Sequence, residues 1–216
     1  MEVVIAGGHG AIGRRLTRLL VERGDTVHAL IRNPDHTDDV RGDGAEPLLV
    51  DLEEAACEQV ALAIAGADAL VFAAGAGPGS GPERKITVDR DGAIKFLGAA
   101  KRAGIRRFVI VSSSGAEAAP DDDEVFSVYL RAKAAADHVV MASHLDWVVV
   151  RPGTLSDDAG KGTVRLSEDP PGGPITRDDV AAILAAALSD ERLTRKLLYA
   201  EQGKDPVEQA IAAVGG

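Results

Sequence analysis

An α/β fold, built on a doubly wound parallel sheet flanked by helices, follows from three observations in this sequence of 216 residues. Short apolar runs alternate with amphipathic stretches over most of the chain. The runs are nearly continuous in apolar residues rather than alternating, as expected of strands buried on both faces. A glycine-rich turn, GGHGAIG over residues 7–13, separates the first run from the first amphipathic stretch.

The elements follow in order. EVVIA (2–6), TVHALI (26–31), EPLLV (46–50), ALVFAA (69–74), RFVIVSS (107–113) and DWVVVRP (146–152) predict six strands. Ala11–Arg23, Glu53–Ala65, Glu83–Ala103 and Val128–Ser143 predict the helices between them. Right-handed crossovers make the strands wind outward in two directions from the first, which gives a Rossmann-like sheet. Beyond Arg151 the pattern is less regular. GKGTVRLSEDPPGGP reads as a loop and short strand, TRDDVAAILAAALSD as a capped helix and KLLYA as a late strand. No linker composition interrupts the chain, so residues 1–216 read as one domain, with 152–216 contributing a small C-terminal lobe on the substrate side.

Composition narrows the function. Apolar residues make up 45% and charged residues 27%, ordinary for a globular protein with a packed core. No apolar run is long enough to span a bilayer, and the N-terminal residues show no basic stretch leading into an apolar one. The one cysteine, Cys57, excludes an internal disulfide. These features predict a cytoplasmic protein without a membrane partner. The net charge of -10 disfavours a nucleic-acid groove, which needs a basic face. The abundance of Ala, Gly, Asp and Arg reads first as the product of a GC-rich genome, with adaptation to high salt, where an acidic surface keeps proteins soluble, as the alternative. The histidines make no metal-ligand spacing, so no metal is expected.

The glycine turn carries the chemistry. A strand precedes it and a helix follows, the setting of a phosphate cradle. Gly7 permits the tight turn, Gly10 lets backbone approach a pyrophosphate and Gly13 allows close helix packing. The helix N-terminus, at Ala11 and Ile12, offers free N–H groups and a positive dipole end. His9 lies within the cradle. The spacing is Gly-x-x-Gly-x-x-Gly rather than Gly-x-Gly-x-x-Gly. At the end of the second strand, where an acidic side chain would hold the ribose 2′-hydroxyl of NAD, stand Arg32 and Asn33. A guanidinium fork suits a 2′-phosphate, so NADP (NADPH) is favoured over NAD. Asp51 and Leu52 follow the third strand. Asp51 can accept from an adenine amino group, and with Glu54 it also reads as the capping box of the next helix.

In order along the chain, GGHGAIG, VDL, VFAAGAG, VSSS, YLRAK and RPGTL resemble the short-chain dehydrogenase/reductase superfamily. The match is nearest to its small, atypical, epimerase-like branch of NAD(P)-binding proteins. The resemblance covers nearly the whole chain. It implies that Tyr129 and Lys133 form the Tyr-x-x-x-Lys pair. Residues four apart share a helix face, and an ammonium there favours a phenolate ready for proton transfer. The resemblance places Ser114 as the substrate-orienting serine, with Ser113 as second choice. Ser112 and Ser113 stand at the strand end beside the cofactor. Ala73, Ala74 and Gly75 are placed along its central ribose and phosphates, and Pro152, Gly153 and Thr154 beside the nicotinamide. The loop GAGPGSGPE is a candidate to close over the ligand. The sequence departs from larger relatives at Asp89, where they have an asparagine; an anion there either repels the cofactor or holds Lys133 in place.

The leading expectation is therefore an NADP(H)-binding oxidoreductase acting on a small carbonyl or carbinol substrate. A sugar epimerase or dehydratase would use the same parts. A non-catalytic redox sensor and a flavin-reductase-like enzyme would not need the tyrosine. No residue pattern specifies an oligomeric state.

Overall fold

A computed structural model describes residues 1–77, 79–170 and 173–216. Residue 78 of the GAGPGSGPE loop and residues 171 and 172 of the predicted C-terminal loop lie outside the described residues. The predicted strands form β1 (Glu2–Ala6), β2 (Thr26–Ile31), β3 (Glu46–Leu49), β4 (Ala69–Phe72), β5 (Arg107–Val111) and β6 (Asp146–Pro152). Later come β7 (Leu155–Ser156), β8 (Thr163–Ser167), β9 (Ile175–Thr176), β10 (Lys196–Gln202) and β11 (Asp205–Pro206). The main sheet runs β11-β8-β10-β6-β5-β4-β1-β2-β3. It is parallel from β3 through β10, and β8 joins antiparallel. The chain reverses direction across the sheet between β1 and β4, so the crevice beyond the carboxyl ends of these strands is the expected ligand position.

Helices cover both faces. They are α1 (Ala11–Glu22), α2 (Thr37–Gly42), α3 (Cys57–Ala63), α4 (Pro82–Arg84), α5 (Ala93–Ala103), α6 (Val125–Met141), α7 (Arg177–Ser189) and α8 (Val207–Val214). Alternate residues of β1 enter opposite cores. Val3 and Ile5 pack with Leu16 and Leu20 of α1 and Val180 and Leu184 of α7. Val4 and Ala6 pack with Val60 of α3, Phe96 of α5 and Val140 of α6. Phe96 meets Phe72 and Phe108 at ring-centroid distances of 6.2 and 5.9 Å, the tilted geometry aromatic pairs prefer.

Two sequence expectations are revised. The helix expected from Glu53 begins at Cys57, because Asp51 Oδ1 accepts from Glu53 N at 2.9 Å and closes a turn instead of capping the helix. Gln59 Oε1 reaches back to Ala56 N at 2.8 Å at the helix start proper. The helix expected over 83–103 contains a π-helical stretch, Lys85–Gly92, between α4 and α5. In the C-terminal part the expected strands are β8 and β10 of the main sheet, while β11 and the helix α8 are elements the sequence reading did not contain.

Candidate functional site

Two adjoining clefts open along the carboxyl ends of the central strands. The first, about 400 Å³, is lined by Gly7, His9, Gly10, Arg32, Asp51, Leu52, Ala73, Ala74 and Gly75 among others. The second, about 610 Å³, is lined by Ile12, Ser112, Tyr129 and Lys133. Ala73, Ala74, Gly75, Ala76 and Gly77 belong to both, so one wall runs from the glycine turn to the tyrosine.

The turn is shaped by its glycines. Gly7 has φ +82°, and a Cβ there would stand 2.6 Å from the Ala74 backbone. A Cβ on Gly13 would strike the Gly7 carbonyl and the Gly8 Cα. The N–H groups of the first turn of α1 have no intrahelical acceptors, and no N-cap side chain supplies one. An uncapped helix N-terminus behind a glycine turn, at the floor of a cleft, fits the phosphates of a dinucleotide. His9 stacks on His36 at 3.6 Å, and its Nε2 meets Asp39 Oδ2 at 2.9 Å. Gly13 and Ala11 shape the cradle without lining either cleft.

Arg32 lies on the side of the first cleft away from Tyr129, 53% exposed, with Nη1 3.3 Å from Glu53 Oε2. Asn33 turns away: its Oδ1 accepts from Asp35 N at 3.1 Å and starts a short 3₁₀ turn.

At the other end, Lys133 is buried and donates from Nζ to Val111 O at 3.1 Å. Its Nζ lies 3.3 Å from Asp89 Oδ1 and 5.7 Å from the Tyr129 ring centroid. Burial pulls the Lys133 ammonium toward deprotonation. The nearby Tyr129, Asp89 and Asp137 outweigh it, and its pKa lies above the ordinary lysine value. The π-helical stretch carries Asp89 inward, where its Oδ2 also accepts from Ala76 N at 3.1 Å. Asp89 thereby ties the shared wall to the lysine. Lys85 Nζ also sits 5.7 Å from the Tyr129 ring centroid and donates to Gly77 O at 2.9 Å.

The serines divide. Ser112 lines the second cleft, but its hydroxyl donates to the fully buried Asp137 Oδ2 at 2.7 Å. Ser113 Oγ donates to Ser114 O at 3.1 Å, and Ser114 Oγ to Arg151 O at 3.3 Å; neither lines the cleft. Arg151 Nε and Nη2 reach the same Asp137 oxygen at 3.0 and 2.9 Å. Burial nonetheless pushes the Asp137 carboxyl above its ordinary value. Pro152, Gly153 and Thr154 also lie outside the lining. Gly153 N donates to Ala200 O at 3.0 Å and Thr154 O accepts from Ile175 N at 2.9 Å, which builds them into the strands.

The sequence reading missed Val125, Phe126, Leu155 and Arg177 in the second cleft and His36, Glu53 and Arg84 in the first. Phe126 stands 65% exposed beside Tyr129, at a ring distance of 5.8 Å, and gives the cleft an apolar mouth. Glu53, inside VDLEE, and Arg84, after the glycine-rich loop, were visible in sequence only as surface charges. Among the described residues, no helix is long and apolar enough to cross a membrane. Nor does any group of three or more His, Cys, Asp or Glu side chains among them form a metal cage.

A family model described as NAD(P)H-binding matches residues 7–191. A Bacillus subtilis protein named as an uncharacterized sugar epimerase is 35% identical over 212 residues, spanning 98% of this chain and 99% of its own. A solved Bacillus halodurans structure, named as a candidate NAD-dependent epimerase/dehydratase, superposes with a TM-score of 0.92. It shares 33% identity and covers 99% of each chain. An anaerobillin reductase from Escherichia coli O157:H7, 23% identical, shares the fold with a TM-score of 0.80 over 94% of this chain and 98% of its own.

Proposed function

This chain belongs to the NAD(P)H-binding family, and we propose that it is an NADP(H)-dependent oxidoreductase acting on a small carbonyl or carbinol substrate. The observation that carries the reading is the wall at residues 73–77, which lines both the cleft of the glycine cradle and the cleft of Tyr129 and Lys133. In this reading Gly7, Gly10 and the α1 N-terminus hold the pyrophosphate, Asp51 and Leu52 flank the adenine and Arg32 meets the 2′-phosphate. When bound, the dinucleotide supplies or accepts a hydride. Tyr129 gives a proton to the substrate oxygen in reduction and takes it in oxidation. Lys133, held cationic by Asp89, offsets negative charge developing on the phenolic oxygen. Ser114 is the candidate to orient the substrate: it lies outside the lining of the second cleft, and its 3.3 Å bond to Arg151 O, long for a hydroxyl donor, must be exchanged for a substrate oxygen before it acts. Val125, Phe126 and Leu155 favour a substrate with an apolar body.

An epimerase, which removes a hydride and returns it to the opposite face, would use the same tyrosine. The name borne by the Bacillus subtilis relative supports that second reading.

Calorimetric titration with NADPH and NADH at two salt concentrations tests the cofactor. NADPH is expected to bind at least tenfold tighter, about 1.4 kcal/mol, with the margin narrowing as salt rises. Equal affinities would remove Arg32 from its role, and no binding of either would overturn the reading.

A further inference from the structure

Arg32 is not alone at its end of the cleft. Glu53 Oε2 lies 3.3 Å from Arg32 Nη1 and 2.6 Å from Arg84 Nη2, while Oε1 accepts from Thr87 Oγ1 at 2.6 Å. Two guanidiniums from separate elements share one carboxylate oxygen. The Glu53 backbone is pinned too. Its N–H donates to Asp51 Oδ1 at 2.9 Å, and Lys95 Nζ donates to Leu52 O at 2.6 Å and Glu53 O at 3.2 Å. Arg84 and Thr87 fix the carboxylate, and the half-exposed Arg32 holds it least.

A carboxylate and a phosphate monoester compete for the same forked donors. The monoester carries about -1.5 to -2 charges near neutral pH, so a fixed Glu53 repels what Arg32 and Arg84 attract. A ribose 2′-hydroxyl meets the opposite balance. It can donate to Glu53 and gains little from guanidiniums already occupied by it. We propose that Glu53 sets the selectivity between NADP and NAD, with Arg84 as the second half of the phosphate clamp. The proposal rests on the NADP(H) reading above and assigns that selectivity to a charge balance rather than to Arg32 alone.

Binding of 2′,5′-ADP and 5′-AMP, the two forms of the adenosine half, tests this without turnover. Glu53→Gln keeps the size and the acceptor for Thr87. It is expected to tighten 2′,5′-ADP at least tenfold and to leave 5′-AMP unchanged or a few-fold weaker. Arg84→Gln is expected to weaken 2′,5′-ADP at least fivefold and to leave 5′-AMP within twofold. If Glu53→Gln leaves 2′,5′-ADP unchanged or weaker while Arg32→Ala abolishes its preference, the NADP(H) reading survives and the Glu53 proposal falls. If wild type binds both nucleotides equally and none of the variants moves the ratio, both fall.

Discussion

The Lys133 ammonium and the Asp89 carboxylate lie 3.3 Å apart, with 4% and 1% of their side chains exposed. The ion pair joins α6 to the π-helical stretch, and through Ala76 N it reaches the wall of the cofactor cleft. Breaking a buried pair strands its partner charge, and removing one member typically costs about 3–5 kcal/mol. Asp89→Ala is expected to lose stability of that order in urea denaturation. Lys133→Met added to it should recover most of the loss, because the pair is then removed as a unit. No recovery in the double variant would mean that Asp89 acts through Ala76 N alone. The raised pKa of Lys133 sets the pH window. Its contribution is full below the ordinary lysine value of 10.5 and is lost only as pH climbs through the higher folded value, so it stays constant across neutral pH.

Tyr129→Phe removes the proposed proton donor and leaves the ring that stacks on Phe126. The expected outcome is a fall in kcat of about 10²–10⁴-fold, with NADPH affinity within twofold of wild type. Unchanged reduction would assign the protein to the flavin-reductase-like class. Bound cofactor with no turnover by the wild type in a broad carbonyl screen would favour a redox sensor.

The serines should separate by assay. Ser112→Ala leaves the buried Asp137 with one donor fewer and is expected to cost about 1–3 kcal/mol in thermal unfolding. Ser114→Ala loses only a long bond to Arg151 O. It is expected to leave Tm unchanged while lowering kcat/KM about tenfold, if Ser114 turns to the substrate. A drop in kcat/KM confined to Ser112→Ala would transfer the orienting role to Ser112.

Asp43 accepts from Arg14 Nε at 2.5 Å and Arg18 Nε at 2.7 Å and ties α1 to the end of α2. Burial raises its carboxyl pKa, but the bonds from the two arginines outweigh burial and hold it below 3.8. A depressed carboxylate stabilises the fold above its unfolded pKa and loses that contribution as pH falls through the folded one. Asp43→Asn is therefore expected to cost about 1 kcal/mol at pH 7, given the exposure of the arginines. The gap to wild type should close as pH drops below 3.8. A gap that persists in acid would mark the loss as one of packing.

Much of the protein was legible in one dimension, because its signals are local. The buried parallel strands announce themselves as apolar runs, since both faces of each are covered. The glycine cradle is local too: Gly7 needs its left-handed backbone and Gly13 its missing Cβ within one turn of chain. The Tyr129–Lys133 pair was legible through the family resemblance, and helical spacing puts its two members on one face. What the sequence could not decide was the direction of hydroxyls and the partners of charges. Ser112 and Ser114 differ by two residues at a strand end, yet one turns its hydroxyl to Asp137 and the other to Arg151 O. Arg32 reads as a free guanidinium until residues 53 and 84 fold beside it. Asp89 reads as an anion that either repels the cofactor or holds Lys133 in place, and the π-helical stretch decides for the second. Each of these outcomes depends on atoms far apart in the chain. Electrostatic and hydrogen-bond partners are chosen by distance in space, and only the tertiary structure sets that distance.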